Sequence, residues 1–118
     1  MTSQTYFPHD AQVLHVNDAT VPFVNYLEDG IMYIGFDTSS CVPPEPMVNA
    51  MLALEFLKDS HTKIVMINHR SPIGLLAKVQ PFYDIDVNEL EDGKLRLVFS
   101  YKEGLSNQAD LSQKHCAG

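Results

Sequence analysis

The chain has 118 residues, 45% apolar and 19% charged, with 15 acids against eight Lys and Arg for a formal charge of −7. That length and balance predict one globular domain with its own core, and they exclude a disordered or disulfide-stapled chain. No apolar run approaches the ~20 residues that cross a bilayer, so no membrane-spanning helix is expected.

The charge is unevenly spread. Residues 1–57 carry Asp10, Asp18, Glu28, Asp29, Asp37, Glu45 and Glu55 without a single Lys or Arg, whereas acids and bases balance over 58–118. An acidic half repels phosphate backbones, which argues against a nucleic-acid partner. The absence of a basic start argues against a secretory or mitochondrial leader and places the chain in the cytoplasm. Cys41 and Cys116 are the two cysteines. Their separation is poor material for a structural disulfide and suits a reducing compartment.

Residues 1–30 read as an N-terminal extension. Val13 to Val16 predicts a short strand, and Pro22 to Leu27 a brief helix with Thr20 as its cap and Asp29-Gly30 as its stop. Ile31 to Phe36 is a continuous apolar run, the pattern of a strand buried on both faces. The cluster Pro43-Pro44-Glu45-Pro46 then stops the strand and opens a helix to about Leu57, because proline is tolerated where the first N–H groups have no intrahelical partner. That helix has only a thin polar stripe at Asn49, Glu55 and Asp59, which predicts cover on two sides, from the N-terminal residues or from a second subunit in a homodimer.

Lys63 to Asn68 reads as a second buried strand, broken by His69-Arg70-Ser71-Pro72. A short helix follows from Ile73 to Val79. Tyr83 to Val87 alternates as a half-exposed strand, Glu91-Asp92-Gly93 signals a hairpin, and Leu95 to Tyr101 closes the sheet. The tail from Gly104 to Gly118 is polar and expected to be loose. The order from Ile31 is β-α-β-α-β-β. It predicts an α+β, two-layer α/β sandwich with a mixed four-stranded sheet, its first two strands parallel.

These residues carry a resemblance. The strand ending in Asp37, the Pro43-Pro44-Glu45-Pro46-Met47 helix start, the strand leading to His69-Arg70 with Pro72 beyond, and the Asp92-Gly93 hairpin resemble the TusA-like (SirA-like) family over about residues 31–101. The match is closest to its uncharacterised branch with a Pro-Pro-Glu-Pro motif. The resemblance implies the family's fold and a site at the helix start, where sulfur carriers hold a persulfide on the cysteine of a Cys-Pro-x-Pro motif. Here Pro43 stands in that cysteine's place, and proline carries no sulfur.

Two readings follow. The first is a non-enzymatic module that binds a protein partner or small anion, without cofactor or metal, at Pro43, Pro44, Glu45, Pro46, His69 and Arg70. In a parallel strand–helix–strand unit these lie on one sheet edge, where free helix amides, Arg70 and a titratable His69 together suit a negative charge. Arg70 serves equally well as structural support if it pairs with Asp37 or Glu45. The alternative is sulfur transfer or redox chemistry on Cys41, whose structural counterpart is a small apolar side chain at the strand end. A weaker third reading makes His69 an acid or base assisted by His15 or Tyr33. Cys116 beside His115 supplies too few fixed ligands for a metal site.

Overall fold

The computed structural model describes residues 6–111. Its strands are β1 (Gln12–Leu14), β2 (Phe23–Glu28), β3 (Ile31–Asp37), β4 (Thr62–Asn68), β5 (Tyr83–Glu89) and β6 (Leu95–Tyr101), with helices α1 (Glu45–Leu54) and α2 (Ile73–Val79). They form one mixed sheet in the order β1-β2-β3-β4-β6-β5. β3 and β4 pair in parallel across the α1 connection, as a strand–helix–strand unit requires, and every other neighbouring pair is antiparallel.

The sheet therefore has six strands, not the four expected. Both additional strands come from the N-terminal segment: β1, expected as a short strand outside the sheet, and the stretch Pro22 to Leu27, whose spacing predicts a helix. Phe23–Glu28 is instead a strand in full register with β3, from Phe23 opposite Phe36 to Glu28 opposite Ile31. Asp29 and Gly30 form the two-residue loop between them, both at positive φ (54° and 80°). Asp-Gly is the pair that suits such a tight hairpin, because it accepts left-handed backbone at both central positions. The N-terminal segment thus extends the same sheet.

Alternate residues of each strand meet the two helices. Phe23, Ile34, Phe36, Ile64, Met66, Leu97 and Phe99 pack with Met47, Ala50, Met51, Leu54, Leu75 and Val79 into the main core. Phe23 stacks on Phe36 at 4.8 Å between ring centres. Such a set of fully buried side chains supplies the main driving force for folding. α1 ends at Leu54 rather than Leu57; Leu57 still reaches the core from the turn that follows.

The second face of the sheet is covered differently. Val65 and Ile67 point there and are fully buried, next to Gly35. The Phe7 ring lies on Gly35: a Cβ at that position would stand 2.8 and 2.9 Å from Phe7 Cδ1 and Cζ, and closer still to Cε1. Tyr26 and Tyr33 stack at 5.3 Å, with Phe7 6.2 Å from Tyr26. The Tyr6 hydroxyl donates to Asp92 Oδ2 at 2.6 Å. Residues 6–7 thereby strap the sheet from behind.

The outer side of α1 is also covered by the N-terminal segment. Leu14, Val16, Ala19 and Val21 pack against the core. The expected polar stripe is not solvated at Asn49, which is fully buried. Its Oδ1 accepts from Thr20 N–H (2.9 Å), and its Nδ2 donates to Thr20 Oγ1 and to the Glu45 carbonyl (2.8 Å each). A buried amide is tolerated only with its hydrogen bonds made, so Asn49 fastens the covering loop to the helix.

The tail is ordered in its first part. Ser106–Gln108 forms a 3-10 turn, and the buried Ser106 hydroxyl donates to the Phe82 carbonyl at 2.6 Å while accepting from Lys102 N–H at 2.7 Å. The rest of the expected loose tail, with His115 and Cys116, lies outside the described residues. No helix among those residues is long and apolar enough to cross a membrane.

Candidate functional site

Because β3 and β4 run parallel, both end at the same sheet edge. Thr38, just past β3, fixes the two ends together. Its N–H donates to the Ile67 carbonyl (2.8 Å), and its hydroxyl lies 2.9 Å from Asn68 Oδ1 and 3.1 Å from the Ile67 carbonyl. Asn68 Nδ2 donates in turn to the Arg70 carbonyl at 2.9 Å. Thr38 and Asn68 are both buried, so these bonds are shielded from competing water and hold the 69–71 turn beside the start of α1.

A cleft of about 390 Å³ opens between them. Pro43, Pro44, Pro46 and Met47 form one wall, and the chain from Asn68 to Leu75 forms the other. The sequence-derived residues Pro43, Pro44, Pro46, His69 and Arg70 are therefore brought together as expected. Glu45 and Cys41 are not among the lining residues. Proline rings, Met47 and Leu75 make the cleft largely apolar, and Ile73 stands at it 76% exposed.

The expected cluster of free helix amides is not there. The Glu45 N–H donates to the Val42 carbonyl at 3.0 Å, Pro46 has no N–H, and Val48 N–H already donates to the Pro44 carbonyl at 3.0 Å. The Pro43–Pro44 peptide bond is cis, and α1 has no side-chain cap. Only Met47 is left to offer a first-turn amide, so the helix start is a poor anion cradle by itself. Glu45 instead accepts the Thr20 hydroxyl at 3.0 Å, which ties it to the N-terminal cover.

Positive charge at the cleft comes from side chains. Arg70 and His69 are exposed, and neither enters an ion pair among the described residues. The structural pairing of Arg70 with Asp37 or Glu45 is thus not made: Asp37 accepts from Ser39 N–H at 2.8 Å, and Glu45 is engaged with Thr20. Among the described residues no acidic side chain lines the cleft.

Cys41 is half-buried, and its N–H donates to the Thr38 carbonyl at 3.0 Å. Burial pushes its thiol pKa up, a hydrogen bond to Glu45 pushes it further, and the negative charges of Glu45 and Asp37 add to both. All of these disfavour the thiolate, the form that attacks sulfur or binds metal. A sulfur carrier needs the reverse environment.

The remaining candidates are dispersed. His15 is exposed and 3.2 Å from Asn17 Oδ1, and His61 lies 3.7 Å from Asp59 in solvent. Tyr33 sits near the start of β3, stacked on Tyr26 behind the sheet, so it cannot assist His69 at the strand ends. No group of three or more His, Cys, Asp or Glu among the described residues is placed to hold a metal ion.

Asn68 and Ile73 were missed from sequence. An Asn closing an apolar strand was a usable signal for the first, since a buried terminal amide must be satisfied by the loop it precedes. Nothing marked Ile73 as exposed. No family model, curated protein or solved structure matches this chain.

Proposed function

We propose that the protein is a non-enzymatic cytoplasmic binding module on a TusA-like plan, using the cleft between the start of α1 and the 68–75 segment as its ligand site. One observation carries this reading. A largely apolar cleft of small-molecule size, lined by an arginine that makes no ion pair among the described residues, stands where the resemblance implies chemistry, with Pro43 at the position the resemblance gives to the nucleophile. The element order from β3 to β6 supports the TusA-like plan.

A titration of isotopically labelled protein with a panel of small apolar, anionic and cationic compounds tests it. The expected result is amide shifts confined to Met47 and residues 68–75. A panel that leaves those amides still while moving others refutes the site.

Sulfur transfer through Cys41 is the second reading, favoured only by the nearness of Cys41 to the motif. Burial and the Glu45 contact raise its thiol pKa, and Cys41 is not among the residues that line the cleft. Incubation with a persulfide donor is expected to leave the mass unchanged; a one-sulfur gain abolished by Cys41→Ser reverses the order of the two.

A further inference from the structure

Resting on that reading of the cleft, we infer that its ligand is a small organic carboxylate: an apolar body seated on the proline wall, with its carboxylate held by Arg70. Three features select this class. The protein carries a net charge of −7, yet among the described residues no acid lines the cleft while Arg70 and His69 both do. Within an acidic molecule, that local sign inversion favours an anion over a cation.

The nature of the donors separates carboxylate from phosphate. Phosphate sites rely on several convergent backbone amides, and in the first turn of α1 those of Glu45 and Val48 are spent while Pro46 has none. Beside the single first-turn amide of Met47, the cleft carries one planar guanidinium, that of Arg70, whose paired N–H groups match the two oxygens of a carboxylate. Ser71 and His69 line the same wall.

Topology separates a small molecule from a peptide. The cleft sits at the ends of β3 and β4, and each of these is paired on both sides within the sheet. No free strand edge lies beside it for the main chain of an extended peptide to pair with. A volume of about 390 Å³ falls within the range of small-molecule sites.

The test compares 4-phenylbutyrate, 4-phenylbutanol, 4-phenylbutylamine and inorganic phosphate, each titrated into the labelled full chain. The carboxylate is expected to shift Met47 and residues 68–75 with a Kd roughly tenfold below that of the alcohol, the usual effect of one charge-assisted contact. The amine and phosphate are expected to bind more weakly than the alcohol. Arg70→Ala should remove the carboxylate's advantage over the alcohol, and Arg70→Lys should restore part of it. Arg70 is exposed, so these variants are expected to fold.

Equal binding of carboxylate and alcohol, or tighter binding of phosphate or amine, overturns the carboxylate assignment and leaves the cleft standing. Silence of the cleft amides to all four overturns both.

Discussion

The contact between Phe7 and Gly35 can be tested by a double-mutant cycle whose sign is fixed in advance. A methyl group at position 35 would collide with the Phe7 ring, at 2.8 Å from Cδ1 and 2.9 Å from Cζ. In Gly35→Ala the ring must therefore leave. Full burial of a phenyl side chain stabilises by about 1.5–3 kcal/mol, and Phe7 is only half-buried, so its loss costs about 1–1.5 kcal/mol. Against this, alanine is better than glycine inside a strand by about 0.5–1 kcal/mol, and Gly35 does not require positive φ.

Gly35→Ala alone is thus expected to destabilise by about 0.5 kcal/mol, and by more if the strand shifts to accommodate the methyl. In a Phe7→Ala background the same change should stabilise, by about 0.5–1 kcal/mol. The coupling between the two sites is then about 1–1.5 kcal/mol, measurable by urea denaturation followed by circular dichroism. The same sign in both backgrounds refutes the close-packing account of Gly35. A Phe7→Ala variant as stable as the parent shows that the strap contributes nothing to folding.

Asn49→Ala is expected to cost about 1–2 kcal/mol in urea unfolding, because the covering loop loses the hydrogen bonds to Thr20 that tie it to α1. Asn49→Asp should rescue little, since a carboxylate cannot donate to the Thr20 hydroxyl or the Glu45 carbonyl. For Cys41, studied in a Cys116→Ser background, alkylation rate against pH should give a midpoint above that of an ordinary thiol. Glu45→Gln should lower that midpoint and speed alkylation at pH 8, and an unchanged midpoint removes Glu45 as a cause. Asp92 has its carboxyl pKa lowered, first by the Tyr6 hydroxyl and then by the Lys94 N–H. A depressed folded-state value means that this contact stabilises above the unfolded carboxyl pKa and is lost as pH falls through the folded one. Tyr6 ring resonances should therefore move toward free-tyrosine positions on acidification, and Asp92→Asn should abolish that pH dependence.

Much of the chain from Ile31 onward was legible because local pattern and tertiary demand coincide there. The runs Ile31 to Phe36 and Lys63 to Asn68 are apolar on both faces, and both faces are in fact covered, by helices on one side and by the strap around Phe7 on the other. Pro43 to Pro46 could only open a helix, and parallel pairing of β3 and β4 then brought His69 and Arg70 to the same edge.

Pro22 to Leu27 went the other way. Its apolar spacing suits a helix as well as a strand, and in sequence the Asp29-Gly30 pair serves a helix stop as readily as a hairpin. The choice was made by β3, which offered six consecutive pairing partners and buried Phe23 against Phe36.

By itself, then, the sequence determined the order of elements after Ile31, the position of the helix start and the absence of a thiol at Pro43, since each follows from residues adjacent in the chain. The outer strands, the burial of Asn49 and the strap over Gly35 were decided by the tertiary structure. They depend on which distant group arrives to satisfy a backbone or side-chain polar atom, and no local pattern specifies that partner.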